Sequence, residues 1–435
     1  MYTETMKILI VTPRLPYPPI EGIRIKGYHL IKGLHERGHK IILVAALLDP
    51  SDVDPNNIQH IQRYIESLKL IDYTTTPSKL LDNLLESLYI PSKELVAKLK
   101  AHYSTAYISK LIHEEQPEII HYDFIHSLTL MEPHKDDTLF KNTPSVLSLC
   151  DSYSLVLRER IGRGAGIALN SFARWTYALT SFPFAVNLEK RLHRIFQAVH
   201  VVSKSDAEWL KSLNPLVNLV TIPNGVDTNY FEPIKNITEE DKMLAMIANF
   251  KVDEHVNNAI WFITTIFKKL KKVEPKVKLY IVGKDPPKQL IRLAKSISNV
   301  VVTGYVPDIR PYLMRASLIV DARRERYGIL NHILQTMSMG KCVIGTPYSF
   351  LAVDGIEPWK NAVIARNEND FVIKIISLLN DGTTRKKIGS NARKLIESSY
   401  TWERIIAKYE EMYQQAACGH ADMKKISYLS RTLLH

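Results

Sequence analysis

The sequence predicts an α/β protein built from two doubly wound parallel-sheet halves. Short apolar runs such as Lys7-Ile8-Leu9-Ile10-Val11, Ser145-Val146-Leu147-Ser148-Leu149 and Ala198-Val199-His200-Val201-Val202 alternate with longer segments of helical period. The alternation restarts near Met243, with Leu244–Ile247, Val277–Val282 and Ser317–Asp321 as the new runs. A chain of 435 residues, 46% apolar and 23% charged, has enough material for two full cores.

The first half opens with a strand at 7–12 and a loop, Pro13-Arg14-Leu15-Pro16-Tyr17-Pro18-Pro19-Ile20-Glu21-Gly22-Ile23-Arg24, whose prolines forbid helix. A helix over about Ile25–Arg37 and a strand over Lys40–Ala46 complete a βαβ opening. Residues 50–116 read as mostly helical, with a loop at Tyr89-Ile90-Pro91-Ser92. Strands follow at Ile119–Tyr122 and Ser145–Leu149, then a basic helical region over 153–196. The charged run Thr238-Glu239-Glu240-Asp241-Lys242 is the expected linker. The expected domains are 1–236 and 237–398, with a C-terminal helix and tail at 399–435.

In the second half, Gly328 to Pro347 reads as loop, helix and strand. Ile333, Leu334 and Met337 repeat at helical spacing, Gly340 ends the helix, and Cys342-Val343-Ile344 begins a buried strand. A helix start at the mouth of a parallel sheet is a ready anion site.

The formal charge is +12 and the pI about 9.3. The cations are scattered, without the dense blocks or interleaved aromatics of a nucleic-acid binder, so no nucleic-acid partner is expected. The three cysteines, Cys150, Cys342 and Cys418, have neither metal nor disulfide spacing, which fits a reducing compartment. Lys7–Val11 is too short for the apolar core of a secretory leader. Ile167–Val186 carries Arg174 as its one charge, yet Asn170, Ser171, Thr176, Thr180, Ser181 and Pro183 make it too polar for a confident membrane span. A buried or interfacial helix with basic flanks is the expectation.

Four motifs, taken in order, resemble one family. Ile222-Pro223-Asn224-Gly225-Val226-Asp227 with Tyr230-Phe231-Glu232-Pro233, Tyr280-Ile281-Val282-Gly283, Val302-Thr303-Gly304-Tyr305-Val306-Pro307-Asp308 and Gly328–Pro347 resemble the retaining GT-B glycosyltransferases of the group 1, family 4 type. The prolines at 13–19 resemble a polysaccharide-biosynthesis subset. The resemblance covers roughly 7–415. It implies two Rossmann-like domains facing across a cleft, with a C-terminal helix (Thr401-Trp402-Glu403, Tyr409, Tyr413) crossing back to the first. It further implies sugar transfer, with retention, from a nucleotide-diphosphate-sugar to a glycan or lipid-linked acceptor, without metal or other cofactor.

On the donor side the resemblance points to Lys251, Arg324, Gly328, Ile329, Asn331, His332 and Gln335. Gly22 and Arg24 fall in the acceptor-side loop. Asp151 and His126 are the catalytic candidates, and Asp151 could equally cap the helix before Tyr153. The family often carries two acidic residues eight positions apart, where this chain has Tyr327 and Gln335. His332 stands where lysine is usual, Ala248 where glycine is common, and Cys150 where histidine is frequent. These departures keep a second reading open: a homologue that binds glycan or a partner without catalysis. A sugar-nucleotide epimerase on the same fold is a third. The expected location is cytoplasmic, with peripheral contact on an anionic inner membrane face through the basic 153–196 region.

Overall fold

The structure, a computed structural model, describes residues 5–20, 22–47, 54–72, 105–123, 142–164 and 169–432. Contacts divide the chain into two units. One comprises residues up to Ile222 together with Ile405 onward, and the other is Pro223–Arg404.

Unit 1 is a seven-stranded parallel sheet in the order β3-β2-β1-β4-β5-β6-β7. Its elements are β1 (Lys7–Thr12), α1 (Gly22–Glu36), β2 (Lys40–Leu47), α2 (Pro55–Gln62), β3 (Ser67–Asp72), α3 (Thr105–Glu115), β4 (Ile119–Asp123), β5 (Ser145–Cys150), α4 (Tyr153–Gly162), α5 (Leu169–Lys190), β6 (Ala198–Val201), α6 (Lys204–Leu213) and β7 (Leu219–Thr221). Within the stretch 50–116, expected to be mostly helical, the structure places the strand β3. Ser-Leu-Lys-Leu-Ile-Asp alternates as an edge strand, and its row of hydrogen bonds to β2 decides the matter. The loop expected at Tyr89–Ser92 lies outside the described residues.

Strand alternation sorts unit 1 into two faces. Leu9, Val11, Ile120, Tyr122, Leu147, Leu149, Val199 and Val201 pack into one apolar core. The intervening residues include His121, Asp123, Ser148 and His200, all buried. That polar face meets α1 and the returning part of the last helix.

Unit 2 is a six-stranded sheet in the order β10-β9-β8-β11-β12-β13. It runs β8 (Glu240–Ile247), α7 (Asp253–Trp261), a wide turn at Phe262–Phe267 into α8 (Lys268–Val273), β9 (Lys278–Val282), α9 (Lys288–Lys295), β10 (Val300–Gly304), α10 (Arg310–Arg315), β11 (Ala316–Asp321), α11 (Asn331–Ser338), β12 (Val343–Gly345), β13 (Val363–Ile364), α12 (Glu368–Asn380) and α13 (Gly382–Ser399). The last helix, α14 (Trp402–Thr432), joins unit 1 from Ile405 onward.

The linker expectation at 238–242 is corrected, because β8 already begins at Glu240. Its carboxylate accepts from Lys278 at 2.6 Å and Arg315 at 2.7 Å, so the charged run is a paired strand end rather than a solvated tether.

Alternation again makes two layers. Leu244, Met246, Leu318 and Val320 face α7 and α12. Ala245, Ile247 and Ile319 face α11 and α13. Gly225, in the junction motif, packs so closely on Trp402 that an added Cβ would lie 2.6 Å from the ring.

Candidate functional site

In unit 2 the connections from β8 and β11 leave toward opposite sides of the sheet. The crevice between their carboxyl ends is the place where open α/β sheets hold ligands. Asp321, the last residue of β11, shares a face with Ile319 and so points toward the layer that contains α11. There its Oδ2 lies 2.9 Å from His332 Nε2. The Arg323 N–H donates to Asp321 Oδ1 at 3.1 Å, and the Ser349 hydroxyl donates to the same oxygen. Burial works against the Asp321 charge, but His332 and these donors outweigh it and hold the carboxyl at about 2. An ionised Asp321 orients the ring by accepting a hydrogen bond from Nε2–H. Nδ1 is then the His332 atom left for a ligand, and it becomes a donor when the ring is protonated.

The backbone around His332 favours an anion. Gly328 sits at φ +66°, a left-handed conformation that glycine adopts without strain, and its carbonyl accepts from Arg323 Nη1 at 3.4 Å. Leu330 stands at the cap of α11 and supplies no side-chain acceptor, so the first N–H groups of the helix are left to another acceptor. Asn331 Oδ1 accepts from Asn224 Nδ2 at 2.8 Å, which ties the junction motif to the helix start. Ile329 is half-buried against the α11 core. Gln335 is half-buried one turn further on, and among the described residues its amide has no hydrogen-bond partner.

Two donor-side candidates turn elsewhere. Lys251 is exposed and lies 3.9 Å from Asp285. Arg324 donates from Nε to Asn258 Oδ1 at 3.1 Å and lies 5.2 Å over the Trp261 ring, on α7. The motif readings missed His255 and Arg323. Burial, then the charges of His332 and Arg323, lower the pKa of His255, and its Nδ1 lies 2.9 Å from the Asn249 carbonyl oxygen. The sequence signal for it was only a histidine just after the acidic helix start Asp253-Glu254.

Unit 1 has its own crevice between β1 and β4, and it too was missed. Lys26 on α1 is buried against Asp123, Ser148 Oγ at 2.7 Å and Cys150 Sγ at 3.0 Å. Burial opposes both charges of the Lys26–Asp123 pair, yet their attraction wins: the lysine pKa is raised and the aspartate pKa lowered. Ser148 then donates to His200 Nδ1 at 2.7 Å, and His200 Nε2 donates to the Ile222 carbonyl at 2.7 Å. Burial and the Lys26 charge depress His200 to about 3, so it is neutral. Burial pushes the Cys150 thiol up to about 11, so it is inert.

Tyr409 on α14 reaches His200 Nδ1 at 3.3 Å, and Tyr413 reaches His121 Nδ1 at 2.8 Å. Cys150 itself has φ +63°, which turns the chain sharply before Asp151. Asp151 is half-buried and does not cap α4. Ser152 does so, its hydroxyl accepting from Leu155 N–H at 3.3 Å. Gly22 is exposed at the start of α1; Arg24 is buried and donates to the Tyr17 carbonyl at 3.4 Å. His126 lies outside the described residues.

The region after Ser152 is stitched down by Glu189. This buried carboxylate accepts from Ser152 Oγ at 3.0 Å, Ser154 N–H at 3.2 Å and Ser154 Oγ, and burial pushes its pKa up to about 7. The helix α5 exposes Phe172, Leu179 and Phe184. Among the described residues no helix is long and apolar enough to cross a membrane, and no group of three His, Cys, Asp or Glu could hold a metal ion.

Two family models match the chain: "Glycosyltransferase Family 4" over residues 27–230 and "Glycosyl transferases group 1" over 241–381. N-acetyl-alpha-D-glucosaminyl L-malate synthase of Bacillus anthracis is 22% identical over 91% of this chain and 94% of its own length. Among solved structures, sucrose-phosphate synthase from Thermosynechococcus elongatus superposes with a TM-score of 0.70 at 14% identity, covering 95% of this chain and all (100%) of that one. HepE of Anabaena, solved with UDP and glucose, superposes at 0.62 and 15% identity, covering 94% of this chain and 99% of its own. The GT-B architecture is therefore shared.

Proposed function

Because the chain belongs to the group 1, family 4 type of glycosyltransferases, we propose that it transfers a sugar from a nucleotide-diphosphate-sugar to a glycan or lipid-linked acceptor, with retention at the anomeric carbon. The setting is cell-envelope or exopolysaccharide synthesis at the cytoplasmic face of the membrane. The observation that carries this reading is the Asp321–His332 pair at the uncapped start of α11.

As the glycosidic bond to the diphosphate breaks, negative charge collects on the leaving phosphate. The α11 N–H groups are fixed donors for that charge, His332 Nδ1 stands ready as a further contact, and the Arg323 guanidinium adds a nearby positive charge. Fixed cations and N–H dipoles supply this stabilisation without a metal. Gly22 and Arg24, which lie in the first turn of α1 rather than in the loop before it, and Asp151, just past the end of β5, belong to the acceptor side of the same proposal. The exposed apolar residues of α5, with Lys190 and Arg191 at its end, give the lipid-linked acceptor a surface to approach.

The test is turnover. Purified protein is incubated with a panel of nucleotide-sugars and acceptor lipids, and nucleoside diphosphate release and product anomer are read by NMR. Release with an α-linked product from an α-linked donor supports the proposal; an inverted product contradicts retention. Gln335 favours one rival, a homologue that binds glycan or a partner without catalysis. That rival predicts no turnover by the natural protein and turnover only after Gln335→Glu and His332→Lys.

A further inference from the structure

His255 belongs to the crevice at the switch point of unit 2, which lies between two helix starts from opposite layers. Val256 and Ala259 of α7 pack with Leu244 and Met246, whereas Ile333 and Leu334 of α11 pack with Ala245 and Ile247. Each helix carries a histidine in its first turn, His255 on α7 and His332 on α11. His332, Arg323 and Asp321 all act electrostatically on the His255 ring, so the two histidines stand in one cluster.

The two rings are held in opposite senses. His332 Nε2–H donates to Asp321. His255 Nδ1 lies 2.9 Å from the Asn249 carbonyl oxygen, which can only accept, so the His255 proton sits on Nδ1. Burial first, then His332 and Arg323, lower the His255 pKa, which keeps the ring neutral near neutral pH. Its Nε2 is therefore a bare lone pair on a half-buried side chain, without a hydrogen-bond partner among the described residues. Such a lone pair sorts ligands. It repels the oxygens of a plain anion, which also only accept, and it suits a hydroxyl. A ligand that satisfies both helix starts carries an anionic group for α11 and an O–H donor beside it.

We infer that His255 is a specificity-determining residue of this crevice: its Nε2 accepts a hydrogen bond from a hydroxyl of the nucleotide-sugar, on the ribose or on the transferred sugar. This role rests on the diphosphate reading of the α11 start. The two are separable, because pyrophosphate carries the charge without the hydroxyls.

Calorimetric titration of the full chain near neutral pH with pyrophosphate, with UDP and UDP-glucose, and with GDP and GDP-mannose tests it. His255→Asn keeps a side-chain N–H for the Asn249 carbonyl but ends short of Nε2. His255→Gln loses that anchor but carries an acceptor about as far out as Nε2. The expected result is nucleotide-sugar binding weakened about tenfold by His255→Asn and largely kept by His255→Gln, with pyrophosphate binding changed by neither. A loss already present with UDP or GDP assigns the hydroxyl to the ribose, and a loss confined to the nucleotide-sugars assigns it to the transferred sugar. The reverse order, binding kept by His255→Asn and lost by His255→Gln, marks His255 as a structural anchor and overturns the inference. Equal losses for pyrophosphate and the nucleotides put a phosphate at Nε2 and overturn it as well. If His332→Ala weakens binding while both His255 variants leave it unchanged, this inference alone falls. If no probe binds, the diphosphate reading falls and takes this role with it.

Discussion

The two units build the same crevice and fill it in opposite ways. In unit 1, Lys26 closes on Asp123, Ser148 and Cys150, Ser148 passes the chain to His200, and His200 ends on the Ile222 carbonyl. Along this chain donors are matched to acceptors inside the protein, although the buried His121 Nε2 beside it makes no hydrogen bond. In unit 2, Asp321 fixes one nitrogen of His332, while the start of α11 has no cap and Gln335 has no partner among the described residues. One crevice spends its polar groups on holding the fold, and the other keeps some for a ligand. A buried polar cluster at a switch point is thus a functional candidate only where hydrogen-bonding capacity is left over.

The comparison breaks first at Lys26. Lys26→Met leaves Asp123 buried without its cation and should cost about 3–5 kcal/mol of stability, read by denaturant unfolding. The double variant Lys26→Met/Asp123→Asn should recover most of that loss. A small loss in the single variant would show that unit 1's crevice is as open as unit 2's.

Glu189 comes next. Its folded pKa of about 7 lies above the usual carboxyl value, so the group binds more protons folded than unfolded. Its stability contribution is complete below the usual carboxyl range and is lost as pH rises toward about 7. Glu189→Gln should escape that loss and be more stable than the natural protein above pH 7, by on the order of 2 kcal/mol in thermal melts across pH. Parallel melting curves at every pH would remove this account of Glu189.

In unit 2 the expected changes are in binding rather than stability. Gln335→Glu gives the ribose hydroxyls a charged acceptor and should tighten nucleotide-sugar binding by about 1 kcal/mol, several-fold in affinity, with little change in melting. Lys251→Ala should matter least. An exposed lysine 3.9 Å from an exposed aspartate contributes below about 0.5 kcal/mol to stability.

Much of this was legible in the sequence, for physical reasons. The stretch Gly328–Pro347 reads correctly because a left-handed glycine, a helical apolar stripe and a β run are local signals: Gly328 is left-handed, the helix is Asn331–Ser338 and the strand Val343–Gly345. The partners of Lys26 are not local. Asp123 lies 97 positions away, and His121, Asp123 and Ser148 sit at alternate strand positions that would face water in a half-exposed sheet. What buries them is packing by α1 and α14, which no window of sequence displays. Arg324 was grouped with the donor loop by motif. Its direction is set by Asn258, 66 positions earlier, and by the Trp261 ring. The strand at 67–72 was absorbed into a helical reading because a six-residue run is too short to separate the two periods, and the start of β8 was missed because a charged strand end resembles a solvated linker until its partners are in place.

The central claim is that the start of α11, with His332 held by Asp321, takes the diphosphate of a sugar donor. Isothermal titration with UDP and other nucleoside diphosphates near neutral pH tests it most directly, comparing the natural protein with His332→Ala and His332→Lys. The account predicts saturable binding of at least one nucleotide, weakened about tenfold by His332→Ala and kept by His332→Lys. Binding that is indifferent to His332→Ala, or no binding of any nucleoside diphosphate, would contradict it.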